Sequence, residues 1–349
     1  MSHPATHPGQ HRVPIPAESV AGLLSTAARA PSILNSQPWL FRVSTYGIDL
    51  YADPSRKLRS DRSGREMLIS CGAALFGLRL AIRSIGYEPV VGVLPDPENP
   101  GLLASVRLAE GAPVTGSERR MIEAIPHRHT HRGTFSGAPL PRGLLIRLQH
   151  DAVVERAALA MVDRPAAYAQ LADIMNRTAG HLSADQQSRA DALKWVRMPA
   201  SEARDGVPVS AIAAVSGTRP GRLAQRDMDL GRGAGELTED GPPPAATAVL
   251  LTQADTRADW LRAGQALHRL LTHAASRWVF ASLYSQPLES EPARAAIRSR
   301  LALPGAPQLV LQFGVAKTTR ATARRPVEGI RVWRAGQWPD DSRPDRSGP

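Results

Sequence analysis

Ala30-Pro31-Ser32-Ile33-Leu34-Asn35-Ser36-Gln37-Pro38-Trp39 is the stretch on which the reading of the whole chain turns. It follows an amphipathic run, Val20, Leu23, Leu24, Ala27 and Ala28, whose apolar residues recur at helical spacing. Two prolines then stop that helix and fix the backbone that follows. Between them stand Ser32, Asn35, Ser36 and Gln37, short polar side chains that either cap local turns or offer donors and acceptors to a ligand. Trp39 opens an apolar strand behind them. Both readings, a turn pinned by a buried tryptophan and a polar binding loop, are compatible with the residues alone.

The chain has 349 residues, 42% of them hydrophobic, enough for one large or two ordinary domains with a substantial core. A single cysteine, Cys71, excludes an internal disulfide framework and any multi-cysteine metal site, and it fits a reducing cytoplasm. Cys71 sits in an apolar helical pattern, as a packed thiol does. The net charge of +11 calls for an anionic partner. Its arginines are scattered, aromatic residues make up 5%, and no nucleic-acid-binding signature occurs, so a small phosphorylated molecule is favoured over nucleic acid. The apolar run Met67 to Ile85 carries Arg79 and Arg83, which argues against a membrane span of roughly 20 uncharged residues. The polar ends, 1–14 and 339–349, read as tails.

Leu40 to Val43 and Ile48 to Tyr51 read as a hairpin. A helix from Glu66 to Ile85 is apolar around much of its circumference, as a helix buried between layers would be, and Gly72 and Gly77 would admit another backbone. Strands are expected at Pro89 to Leu94 and Leu103 to Leu108. A second unit begins near Val114 with a short helix capped at Ser117 and stopped by Pro126. Then come His127-Arg128-His129-Thr130-His131-Arg132, a helix over 141–148, a strand over 157–162, and helices around 166–182 and 184–196. The span 198–244 loses periodicity and is too long for an ordinary connection. A strand over 247–252, a long helix over 260–278, the break Tyr284-Ser285-Gln286-Pro287-Leu288-Glu289, a helix over 292–301 and a strand over 307–315 follow. Lys317, Arg320, Arg324 and Arg325 then gather before Pro326. The two units repeat one order of elements, an internal repeat.

Pro-Ser followed by Asn-Ser-Gln-Pro-Trp, after an amphipathic helix and before a strand, resembles the flavin-contacting loop of the nitroreductase family, and the chain from about Ile15 to Val332 is similar to its Acg-type, fused members. The resemblance implies an α+β fold in which two half-units of one chain mimic the family homodimer: 15–113, and 114–338 with a lid-like insertion at 198–244. It implies flavin mononucleotide (FMN) as cofactor. Ser32, Ile33, Leu34, Asn35, Ser36 and Gln37 would then face the ring and ribityl chain. Arg128, His129, Thr130 and Arg132 are similar to the family's phosphate-gripping segment, with His in place of a second Arg and Thr in place of Ser. Arg324 and Arg325 match a late basic pair, and Gln286, Pro287 and Leu288 a segment packing near the ring. Since each motif occurs once, one FMN per chain is expected. The implied activity is hydride transfer from NAD(P)H through FMN to a nitroaromatic or quinone acceptor. No side-chain acid or base is obligatory for it, so no catalytic residue is assigned. A closed lid over the flavin gives the alternative of FMN storage without turnover. His127, His129 and His131 could ligate a metal if they shared a strand face, but no carboxylate or cysteine stands at a helpful spacing, and no metal is expected. The chain would act as a monomeric pseudo-dimer or a weak homodimer.

Overall fold

The computed structural model describes residues 13–214, 222–228, 230, 236–237, 242–316 and 322–332. The expected tails lie outside these residues except for Val13 and Pro14, as do Lys317, Arg320 and parts of 198–244. The first half runs through α1 (Val20–Ala28), β1 (Trp39–Ser44), β2 (Gly47–Ala52), α2 (Arg65–Ser84), β3 (Tyr87–Val93) and β4 (Leu102–Glu110). Next come α3 (Gly116–Ala124), α4 (Leu144–Val154), β5 (Ala157–Met161), α5 (Pro165–Ala184) and α6 (Gln186–Trp195). The aperiodic span holds two short pairs, β6 (Val196–Arg197) with β7 (Val207–Pro208) and β8 (Ala213–Ala214) with β9 (Glu236–Leu237). The chain closes through β10 (Ala246–Thr252), α7 (Arg257–Ala275), β11 (Val279–Tyr284), α8 (Glu291–Arg300), β12 (Ala306–Val315) and β13 (Arg331–Val332). Helix α3 is capped by Thr115 with Glu118 rather than by Ser117, because a capping box needs its acid three residues after the cap.

The long strands form two sheets, β13-β1-β2-β4-β3 and β11-β12-β10-β5, each with its own long helix. The fold is α+β with two half-units in one chain. Phe41, Ile48, Leu50 and Val106 of the first sheet pack with Leu75, Leu78 and Ile82 of α2. In the second half Leu250, Leu311 and Phe313 pack with Leu267, Leu270 and Leu271 of α7. Helix α2 is apolar nearly all round because its remaining side meets α7. That is why a helix long and apolar enough to cross a membrane has 83% of its most apolar window buried here. Arg79 and Arg83 leave the helix through ion pairs with Glu155 at 2.6 Å and Glu118 at 2.9 Å.

The two helices touch backbone to backbone. A Cβ on Gly72 would stand 2.2 Å from the Leu261 carbonyl oxygen, and one on Gly264 would stand 1.9 Å from that of Ile69. Only hydrogen fits at either place. Gly72 has the role its position suggests; Gly264, its counterpart, is concealed in an ordinary amphipathic pattern. His268 of α7 and the Ala73 carbonyl of α2 share a hydrogen bond at 2.7 Å beside this crossing.

The last strand leaves its own half. β13 pairs in parallel with β1, Phe41 opposite Arg331, so the segment before it is drawn across the loop between α1 and β1.

Candidate functional site

After α1 the chain turns through a short 3-10 segment, Ile33–Asn35, and Leu34 and Asn35 within it and Gln37 beyond it adopt φ of 46°, 53° and 50°. This left-handed region costs a side-chain-bearing residue roughly 1–2 kcal/mol, so three such residues within four positions must be held by their surroundings. They are. Ser70 of α2 accepts the Ile33 N–H at 3.1 Å, and Ser32 Oγ accepts the Gln37 N–H at 3.0 Å. Asn35 donates to the Gly206 carbonyl at 2.8 Å and the Ala323 carbonyl at 3.1 Å. Gln37 donates to the Arg204 carbonyl at 2.9 Å and accepts the Arg325 N–H at 2.8 Å. Trp39, fully buried, anchors the loop in the first core.

The opposing wall comes from the second half. Residues 128–132 run along β11 rather than forming a strand of their own: Thr130 bridges Ala281, and the His131 N–H donates to the Ala281 carbonyl at 2.9 Å. This registration turns Arg128, Thr130 and Arg132 toward the loop. A hollow of about 260 Å³ is lined by Ser32, Asn35, Arg128, Thr130, Arg132 and Arg324, with no acid among its described lining residues. Arg128 donates to the Arg29 carbonyl at 3.0 Å, and Arg324 reaches the Ala30 carbonyl at 3.2 Å. Nε and Nη1 of Arg128 and Nε of Arg324 are buried without a hydrogen-bond partner among the described residues. Burial, and secondarily Arg132 and Arg29, push Arg128 down to about 10. Burial alone takes Arg132 to about 10. Burial first, then Arg128, Arg29 and Arg132, lower Arg324 further. Burial and neighbouring like charges both disfavour the charged guanidinium, and no anion among the described lining residues offsets them. The missing charge is negative, and forked donors suit a phosphate.

Thr130, Arg132 and Ser32 also line a larger adjoining cleft. Its other walls are Ile33, Leu34, Glu66 and Ser70 on one side, Tyr284, Gln286 and Pro287 on the other, and Ala224 to Arg226 with Met228 from the aperiodic span. Arg226 pairs with Glu289 and so ties that span across the cleft. The structure therefore brings Ser32, Ile33, Leu34, Asn35, Arg128, His129, Thr130, Arg132, Gln286, Pro287 and Arg324 around two connected hollows.

Four other candidates stand elsewhere. Gln37 and Arg325 hold each other, and Arg325 also lies 3.8 Å from Asp53, so its charge is matched within the fold. The Ser36 carbonyl accepts Arg56 Nε at 2.6 Å while its buried hydroxyl has no partner among the described residues, and Leu288 is fully buried in a core with Ile297 and Val310. The three histidines do not converge: His127 stacks on Trp278, His129 on Phe280 and His131 on Phe135. Burial holds His129 and His131 below their ordinary range, which keeps their rings neutral. Glu66, Ser70, Tyr284 and Arg226 join the site without having been singled out. Of these only Glu66 left a trace in the sequence, a carboxylate near the start of an otherwise apolar helix.

No family model matches the chain. The protein "Putative NAD(P)H nitroreductase Rv3131" of Mycobacterium tuberculosis is 29% identical over 336 residues, covering 93% of each chain. "Putative NAD(P)H nitroreductase acg" of the same organism is 28% identical over 320 residues, 89% of this chain and 94% of that one. Among solved structures, similarity is found to an FMN-bound nitroreductase of Bacteroides fragilis, at 10% identity and a TM-score of 0.36 over 62% of this chain and 96% of that one. The FMN-dependent nitroreductase NfnB of Mycobacterium smegmatis in complex with NADPH gives 15% identity and a TM-score of 0.34 over 62% and 95%. The chain is thus similar to these two proteins along nearly its whole length.

Proposed function

We propose that this chain is an FMN-binding oxidoreductase of the nitroreductase type, taking hydride from NAD(P)H and passing it to a nitroaromatic or quinone acceptor. The observation that carries the reading is the group Arg128, Arg132 and Arg324, in which N–H donors of Arg128 and Arg324 are buried without a partner among the described residues and face the strained 32–37 loop. The names of the relatives agree with it. The residues fit the cofactor: Arg128, Arg132 and Arg324 with Thr130 and Ser32 would hold the phosphate, and Ile33, Leu34, Gln286 and Pro287 would flank the ring. Bound there, the flavin supplies the two-electron chemistry. The chain's own part is to neutralise the phosphate dianion, fix the ring between its two halves and exclude water.

The halves 15–113 and 114–338 are read as the two partners of a fused pseudo-dimer holding one FMN, in a reducing, cytoplasmic setting that suits the free, buried Cys71. A second reading, FMN storage without turnover, draws on the Ala224–Met228 wall and its Arg226–Glu289 tie, which narrow access to the cleft. An absorbance spectrum of the purified protein followed by anaerobic NADPH tests both. A yellow protein that NADPH bleaches supports the oxidoreductase, one that stays yellow supports storage, and one that neither carries nor takes up FMN refutes the proposal.

A further inference from the structure

Three carboxyl groups and two guanidiniums are buried together where the cleft adjoins a second, open cavity of about 920 Å³ lined by Ser60, Asp61, Arg65, Glu66 and Glu289. Arg65 and Glu66 open α2 as an ion pair, and Arg65 is otherwise held by Gln308, Nε to Oε1 at 3.0 Å. Glu289 pairs with Arg226. Asp61 accepts the N–H groups of Glu66 at 3.2 Å and Met67 at 2.9 Å. Asp255, also within the field of Arg65, has its own partner in Arg294 at 3.0 Å.

The innermost charges are thus three acids and two cations, with Lys57 acting on Asp61 and Arg62, Asp185, Glu291 and Arg294 also lining the open cavity, in a place where Asp61 and Glu66 are each 3% exposed. Burial penalises the unmatched charge, and the cluster keeps a proton. Burial, against the pull of Arg65 and with the push of Glu289 and Asp61, raises Glu66 to about 7. Burial raises Asp61 and Glu289 as well. Glu66 is the acid that lines the cleft as well as the second cavity. The charged and titratable groups around it are Arg65 and Asp61 beside it, Glu289 and Arg226 on the facing turn and strap, and Arg132 with His131 across the cleft.

We propose that Glu66 is a positioning residue for the flavin ring, entering the complex as the neutral acid and donating a hydrogen bond to it, so that flavin uptake is coupled to one proton. This rests on the flavin reading above. The physical ground is that an oxidised flavin ring is uncharged and presents mostly carbonyl and imine acceptors. Against a carboxylate these would leave acceptor facing acceptor while stripping the anion of its remaining water; against a carboxylic acid they are satisfied.

The test is a titration of apo-protein with FMN and with riboflavin from pH 6 to 9, read by flavin fluorescence. Riboflavin carries no phosphate, so a fall that both ligands share cannot come from the second ionisation of the FMN phosphate near pH 6. Affinity for both ligands is expected to fall about tenfold per pH unit above 7. In Glu66→Gln the fall is expected to vanish, with riboflavin affinity kept near the wild-type value at pH 6. In Glu289→Gln two acids face two guanidiniums, so the fall should move to lower pH; this variant answers the question even if Glu66→Gln does not fold. A flat wild-type profile from pH 7 to 9, or a fall unchanged in both variants, overturns the proton coupling and leaves the flavin reading standing. Absence of flavin binding at every pH removes both.

Discussion

The two ends of the cleft are built from the same ingredients in opposite proportion. At one end Arg128, Arg132 and Arg324 are gathered with no acid among the described residues lining the hollow, and N–H donors of Arg128 and Arg324 are left over among those residues. At the other, Asp61, Glu66 and Glu289 outnumber Arg65 and Arg226, and both an acceptor, Glu289 Oε2, and a donor, Arg226 Nη1, are left over among the described residues. A surplus of buried guanidinium cannot be relieved by giving up a proton near neutral pH, so it must wait for an anion. A surplus of buried carboxylate can relieve itself by taking a proton, and needs no counter-ion. On the proposed reading the first end would take a charged group and the second an uncharged one, which would orient the ligand.

The contrast exists only while the two halves are apposed, and the most severe way to break it is at the helix crossing. Gly264→Ala would set a methyl group against the Ile69 carbonyl of α2, and the backbone there cannot yield as a side chain can. A loss of more than about 3 kcal/mol in denaturant unfolding is expected, together with loss of flavin binding; an unfolding midpoint within a few tenths molar of wild type would show that the halves do not depend on this contact. At the basic end, Arg128→Met should weaken FMN binding about tenfold to a hundredfold while leaving riboflavin affinity nearly unchanged, since one charge-assisted contact is worth roughly 1.5–3 kcal/mol. Because the guanidinium is buried and partly unsatisfied, the same variant should be more stable than wild type as apo-protein, by about 1 kcal/mol. Opposite signs in the two measurements are the signature; a parallel loss in both would mean that Arg128 is structural. The smallest effect is on pH stability beneath the basic end. Burial first, then Arg128, takes His268 down to about 3, so it stays neutral when folded and takes up a proton when unfolded. Its contribution is complete above its unfolded value of about 6.5 and declines as pH falls from there toward 3, by about 1.4 kcal/mol per pH unit at most. Urea unfolding at pH 7 and 5.5 should show this slope in wild type and lose most of it in His268→Leu.

Much of this was legible in residue order. The prolines of the 30–39 stretch, the amphipathic helix before it and Trp39 behind it specify a fixed loop wherever the chain goes next, because they act within a few residues. Helix α2 could be read as buried on both sides from its apolar circumference, and its observed bounds shift by one residue. Which polar groups of the loop serve the ligand and which serve the loop could not be read. Asn35, Gln37 and Arg325 look like ligands in one dimension, yet Gln37 and Arg325 are spent on each other and Asn35 on Gly206 and Ala323, partners that lie more than 160 residues away. Leu288 differs from Pro287 only in the direction its side chain takes from one short turn.

The sequence by itself determined the local punctuation, the two amphipathic halves and the presence of a basic motif in one and a polar loop in the other. Those are properties of neighbours along a chain, set by backbone sterics and side-chain periodicity. Only the tertiary structure decided that Gly72 and Gly264 meet, that β13 returns to the first sheet, and that charges from distant positions are buried in unequal numbers at the two ends of one cleft. Burial is what gives those charges their chemistry, and burial depends on which surfaces close over them.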